Sequence, residues 1–260
     1  MRFDWYGATV PAQVSHCVST ITAEHGGFFF ETPPQSPYKI GLRHSETDFR
    51  LSHGGQNPLP YLDASGARAP ACATFIRQHY PAHRVARADV CQDFVAAGGY
   101  DRITRLLIPV ARQARAKVVQ YSDPEPALGD GRTLYLGSEK SDVRLTVYEK
   151  GRLERSKGAD VPVDWFRVEL RVRPRKHRKS LAAEMEPVDF FGLARWTLQA
   201  CELVAGHAPE YVPDLSLRAC STEQSVRHML RQYSGKLRAY VDLYGRKSLD
   251  QLLTDHLADE

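Results

Sequence analysis

The sequence predicts an α+β fold: a central antiparallel sheet with helices on one face and an open, polar second face, followed by a helical C-terminal appendage. Three observations carry this reading. Short strand-like runs alternate with helical ones over most of the chain. Three of those runs sort by parity into one apolar and one charged face. After Pro174 the pattern turns helical.

Phe3 to Val10 reads as a strand ending at Pro11, followed by a helix to Ala23 with Val14, Cys17, Val18 and Ile21 at helical spacing and Gly26-Gly27 beyond it. Phe28 to Tyr61, broken by Pro33-Pro34, Pro37, Gly54-Gly55 and Pro58, reads as a meander of short strands. A short helix is predicted over Pro70 to Tyr80, a strand over Arg84 to Phe94, and a helix over Tyr100 to Arg115 with Ile103, Leu106, Leu107, Val110 and Ala114 on one face. Strands follow at Lys117 to Tyr121 with Thr133 to Leu136, at Val143 to Glu149 and at Val163 to Val172. Pro187 to Val204, Ser221 to Tyr244 and Ser248 to Leu257 are helical, and Ser221-x-x-Gln224 and Ser248-x-x-Gln251 have capping-box spacing. This divides the chain into an α+β domain over residues 1–180 and a helical appendage over 181–260, with the boundary at the basic stretch Pro174 to Lys179. No repeat of fixed period is visible, which sets solenoids aside.

The 260 residues are 42% hydrophobic and 25% charged, an ordinary soluble composition. No apolar run approaches the roughly 20 residues needed to span a bilayer, and Met1 to Tyr6 lacks a signal peptide's order, so no membrane association and a cytoplasmic location are expected. Five cysteines, Cys17, Cys72, Cys91, Cys201 and Cys220, without any Cys-x-x-Cys spacing argue against a disulfide framework and a zinc knuckle. The net charge of +4 is small, but from Lys150 to Lys179 there are 11 basic and four acidic residues. Arg171, Arg173, Arg175, Lys176, Arg178 and Lys179 follow one another with no acidic residue between them, as a solvated loop or a path for phosphates would require. Arg227, Arg231, Lys236 and Arg238 give a later helix a basic face that suits duplex DNA or solvent equally.

The charged strand faces hold Arg87, Asp89, Cys91 and Asp93; Arg144, Thr146, Tyr148 and Lys150; and Trp165, Arg167, Glu169, Arg171 and Arg173. Cross-strand ion pairs on a solvated face would explain them. Convergence of Asp89, Asp93 and Glu169 would instead create a seat for a hard divalent cation, since clustered carboxylates repel without one, and Tyr148 beside it would be a nucleophile toward phosphate. Trp165 and Trp5 are candidates to stack on unpaired bases, although Trp5 fits a core position equally.

Arg87-Ala88-Asp89-Val90-Cys91-Gln92-Asp93-Phe94, Leu134-Tyr135-Leu136-Gly137-Ser138, Arg144-Leu145-Thr146-Val147-Tyr148-Glu149-Lys150 and Phe166-Arg167-Val168-Glu169-Leu170-Arg171 together resemble the replication initiation factor family of rolling-circle plasmids and filamentous phages. The resemblance implies a fold related to the His-hydrophobe-His nucleases and the ferredoxin-like fold, although this sequence has no His-x-His triplet. It implies a rolling-circle initiator that nicks and rejoins origin DNA, over 1–180, through a 5′-phosphotyrosine intermediate. Tyr148 is then the nucleophile, with Asp89, Glu169 and, third, Asp93 as ligands of Mg²⁺ or Mn²⁺. Arg87, Arg144, Lys150, Arg167, Arg171, Arg173, Arg175 and Lys176 are the DNA-contacting side chains. Implied partners are single-stranded, cruciform or duplex origin DNA and a host helicase, for a monomer or dimer in the host cytoplasm. Tyr135 is the runner-up nucleophile. A non-catalytic origin- or promoter-binding regulator of the same fold is the alternative function, and a hydrolase using the carboxylates is a second.

Overall fold

A computed structural model describes residues 1–122, 131–212 and 222–257. Cys220 and Ser221 lie outside the described residues, as do the side chains of Arg227 and Arg231.

The chain opens with β1 (Arg2–Thr9), whose Phe3, Tyr6 and Ala8 enter the core. Helix α1 (Val14–His25) buries Cys17 and Ile21 one turn apart and stops at Gly26 and Gly27, both with φ of 70°. The meander resolves into β2 (Phe29–Thr32), β3 (Ile40–His44), β4 (Arg50–His53) and β5 (Tyr61–Ser65). Helix α2 (Ala69–His79), with a proline in its first turn, packs Cys72, Ala73, Phe75 and Ile76 beneath the sheet.

The second half opens with β6 (Arg84–Val95), continues through α3 (Gly99–Gln113), and returns by β7 (Val118–Tyr121), β8 (Thr133–Leu136), β9 (Val143–Tyr148), α4 (Lys150–Ser156) and β10 (Trp165–Val172). Close packing requires glycine at the start of α3: a Cβ on Gly99 would lie 2.3 Å from the Phe166 ring. Helix α4 was not predicted. Lys150, read as the end of a strand, instead opens this helix, which its ion pair with Glu154 one turn on supports.

All ten strands join one antiparallel sheet in the order β2-β3-β4-β5-β1-β6-β10-β9-β8-β7. Each half is a strand, a helix and a four-stranded meander whose last strand returns beside the first. The two halves meet at the β1–β6 pair, so the sheet is a duplicated topology that no sequence repeat announces. Its core face carries Leu51, Leu62, Val85, Ala88, Val90, Leu134, Leu136, Leu145, Val147, Val168, Leu170 and Val172.

The opposite, polar face differs between the halves. In the first half the segment following β2 covers it: Gln35 donates to Asp63 at 3.3 Å and Tyr38 stacks on Tyr61 with ring centroids 5.9 Å apart. Asp63 is wholly buried beneath this cover, beside Arg50, and burial pushes its carboxyl up to about 6. Across β9 and β10 the polar face keeps partial exposure at Arg144, Thr146, Tyr148, Glu169 and Arg171.

The basic stretch after β10 is not a linker. Arg178, in the short helix α5 (Arg178–Leu181), donates to the Leu193 and Val212 carbonyls at 3.0 and 2.8 Å. Ala182, Ala183, Phe190, Phe191 and Leu193 join the core, with Phe190 edge-on to Phe3. The predicted helix over Pro187 to Val204 is a 3-10 segment, Pro187–Leu193, then α6 (Arg195–Ala205), interrupted where Ala194 is extended at φ −142° and ψ 142°. The first compact unit therefore runs from Met1 to Asp214 rather than to residue 180, because the buried apolar residues after 180 complete the sheet's core. A second unit, Leu215–Glu260, contains α7 (Thr222–Tyr244) and α8 (Arg246–Leu257).

Candidate active site

The polar face of β6, β10 and β9 brings Tyr148, Glu169 and Asp89 together. Tyr148 and Glu169 lie on adjacent strands, and the Tyr148 phenol donates to Glu169 Oε2 at 3.4 Å, a long hydrogen bond. Glu169 faces Cys91 in the β6–β10 register, so Asp89, two residues along β6, is its diagonal neighbour. Burial first, then the nearby Asp89 and Asp4 carboxylates, raise Glu169 to about 7. Asp89 is almost completely buried, and desolvation raises its pKa although Arg87 grips both of its oxygens. The Tyr148 phenol is raised above its ordinary value by burial and by Glu169. The site is therefore electronegative and partly desolvated, and at neutral pH it holds its tyrosine protonated.

Asp4 is a site residue that the sequence reading did not name. A bulge between Phe3 and Trp5 shifts the β1–β6 register. Strict alternation would put Asp4 on the core side with Tyr6; the extra residue turns both Asp4 and Trp5 to the polar face. The available signal was the spacing of the core residues themselves, since Phe3 and Tyr6 are three apart rather than two or four. Asp4 accepts from Arg167 at 2.7 Å. Trp5 lies between the guanidiniums of Arg50 and Arg87, 4.4 and 4.3 Å from its ring, so it is not a core residue.

Asp93 has a different role from Asp89 and Glu169. It accepts from Arg167 at 2.7 and 2.9 Å, from Trp165 Nε1 at 2.9 Å and from Arg2 at 2.8 Å. Burial pushes its carboxyl up, but the bonds from Arg167 and Trp165 outweigh that and hold it at about 2. Arg167 is only 4% exposed and fully engaged by Asp93 and Asp4. These two residues build the floor of the site; Arg167 presents no free guanidinium to DNA.

The other basic residues split into groups. Lys150 is ion-paired with Glu154 and lies 5.9 Å from the Tyr148 ring and 5.2 Å from that of Trp165. Arg144 lies flat on Tyr135 at 3.8 Å, which makes Tyr135 a platform for an arginine. Burial, then Arg173, Arg144 and Arg87, hold the Arg171 guanidinium below its ordinary pKa. Arg175 is exposed and paired with Asp142, while Lys176 sits at φ 50° and accepts from Arg84 through its carbonyl. Among the described residues, no three histidine, cysteine or acidic side chains are grouped closely enough to hold a metal ion as they stand.

Residues 110–195 match the replication initiation factor family. This replication initiation factor match spans β7 to β10 and so includes Tyr148 and Glu169, but it stops short of Asp4 and Asp89. The fold is that of a rolling-circle replication initiator protein from Geobacillus stearothermophilus, with a TM-score of 0.52 and 17% identity over 81% of this chain and 98% of that one. No curated protein matches the chain. Among the described residues no helix is long and apolar enough to cross a membrane.

Proposed function

We propose that the protein initiates rolling-circle replication by nicking one strand of origin DNA through Tyr148 and later rejoining it. The observation that carries this reading is the direct contact of Tyr148 with Glu169 on a partly open sheet face, beside Asp89 and Asp4 and bordered by arginines. In the forward step the Tyr148 oxygen attacks phosphorus and the bond to the 3′-oxygen breaks. The phenol's proton passes to Glu169, which the hydroxyl already contacts at 3.4 Å. The departing 3′-oxygen takes that proton from Glu169 and leaves as a hydroxyl, and the 5′ phosphate stays esterified to the tyrosine. Because one phosphate ester replaces another, attack by a 3′-hydroxyl reverses the step.

Asp89 and Glu169 are the carboxylates that would hold Mg²⁺ or Mn²⁺; Asp93 and Asp4 are both engaged by Arg167. Oxygen donors of this kind suit a hard cation, and the Asp89 charge adds to burial in raising Glu169, whereas Asp93 is already neutralised by Arg167 and Arg2. The ion would supply positive charge to a non-bridging phosphate oxygen. Arg87 and Arg167 hold Asp89, Asp93 and Asp4 in place.

A labelled single-stranded origin fragment incubated with the protein and Mg²⁺ or Mn²⁺ tests the proposal. A covalent adduct is expected with the native chain and none with Tyr148→Phe, at equal thermal stability. Salt-sensitive binding without an adduct would favour the alternative of a non-catalytic origin- or promoter-binding regulator.

A further inference from the structure

A second feature of the open face lies along β9 and β10, away from Tyr148. Arg144 and Arg171 stand directly opposite each other in the β9–β10 register, a like-charged cross-strand pair. Such a pair is destabilising when it faces only water. Both guanidiniums are held in place nonetheless. Arg144 is stacked on Tyr135, and its Nε is buried with no hydrogen-bond partner. Arg171 donates to the Glu139 carbonyl at 3.1 Å, and Arg173 reaches the same carbonyl at 3.4 Å. The carboxylate opposite Arg171 on its other side is Asp89, which is already bound by Arg87. Four guanidiniums, those of Arg87, Arg144, Arg171 and Arg173, thus share a region with two carboxylates, Asp89, which Arg87 binds, and Glu169.

Two forked donors at a fixed cross-strand separation, one with an N–H that lacks a partner, suit an oxyanion that two guanidiniums can share, and on a strand of DNA that group is a phosphate. We propose that Arg144 and Arg171, supported by Arg173, clamp one phosphate group of the bound DNA strand. The clamp rests on the reading that this face binds DNA and adds that one particular phosphate is held. Arg144 precedes Tyr148 by four residues on β9, which puts the two about 13 Å apart along the strand. The held phosphate therefore lies a few nucleotides from the one attacked and sets the register of the strand over the tyrosine.

The test measures binding by the full chain carrying Tyr148→Phe, so that no result depends on nicking. Single-stranded oligonucleotides are made with one neutral methylphosphonate placed at each linkage in turn, and inorganic phosphate serves as the free-anion competitor. In the Arg144/Arg171 protein, neutralising one linkage is expected to weaken binding about tenfold, as loss of a charge-assisted contact does, while other linkages have small effects. In Arg144→Gln and Arg171→Gln that same linkage is expected to become indifferent. Binding of millimolar inorganic phosphate, abolished by the same substitutions, with no linkage of the oligonucleotide sensitive to neutralisation would assign the site to free phosphate instead and overturn the DNA assignment. A flat profile across all linkages, or one linkage equally sensitive in native and substituted proteins, overturns the clamp. Absence of an adduct in the native chain alongside a sharp profile would remove the nicking proposal and leave the clamp standing.

Discussion

Replacing Glu169 by glutamine changes the charge of the site without changing its shape. Burial and the neighbouring Asp89 and Asp4 raise the carboxyl from its ordinary 4.5 to about 7. The native fold therefore prefers protonated Glu169. Stability linked to this group is complete below about pH 4.5 and is lost as the pH rises through about 7. At 1.36 kcal/mol per unit the loss is at most about 3 kcal/mol. Glutamine is neutral throughout and keeps an oxygen for the Tyr148 hydroxyl. Glu169→Gln should thus match the native protein at pH 4.5 and exceed it at pH 8 by up to about 3 kcal/mol, or about 6–12 °C in melting temperature for a unit of this size. The assay is thermal unfolding at low salt with EDTA, followed by tryptophan fluorescence, since Trp5, Trp165 and Trp196 all lie in the Met1–Asp214 unit. An equal gap at both pH values, or a variant less stable than native at pH 8, would refute the electrostatic account.

Asp93→Ala leaves the buried Arg167 with Asp4 as its remaining carboxylate and should cost about 3–5 kcal/mol in urea unfolding. The depressed Asp93 carboxyl contributes stability present above about pH 3.8 and lost as the pH falls toward 2, so the stability gap between native chain and variant should narrow as the pH is lowered through that window. Asp4→Asn removes one of the charges that raise Glu169, and the pH-dependent gap opened by Glu169→Gln should narrow when measured in that background.

Strand parity was sufficient to find the polar face, because β6, β9 and β10 alternate without interruption around Asp89, Tyr148 and Glu169. It does not hold at β1, where one extra residue reverses the alternation and carries Asp4 and Trp5 to the other side. Helix α4 escaped notice because it is only seven residues long and begins directly after a strand, leaving no room for a full amphipathic period. Residue types could not separate Asp93 from Asp89: both alternate onto the same face, and only the position of Arg167 between Asp93 and Asp4 makes one a structural anchor. The same applies to the arginines, which the sequence presents as a uniform run. Arg167 is buried and engaged, Arg175 is paired at the surface, and Arg144 faces Arg171.

By itself the sequence determined most of the strands and longer helices and which faces of β6, β9 and β10 are polar, since both follow from the period of side-chain direction along a single segment. Only the tertiary structure decided the duplicated strand order, the covering of one half of the polar face by the segment after β2, and the meeting of Tyr148 with Glu169. Those depend on register and on which strands become neighbours. Such choices are made by packing between residues far apart in the chain, where local periodicity carries no information.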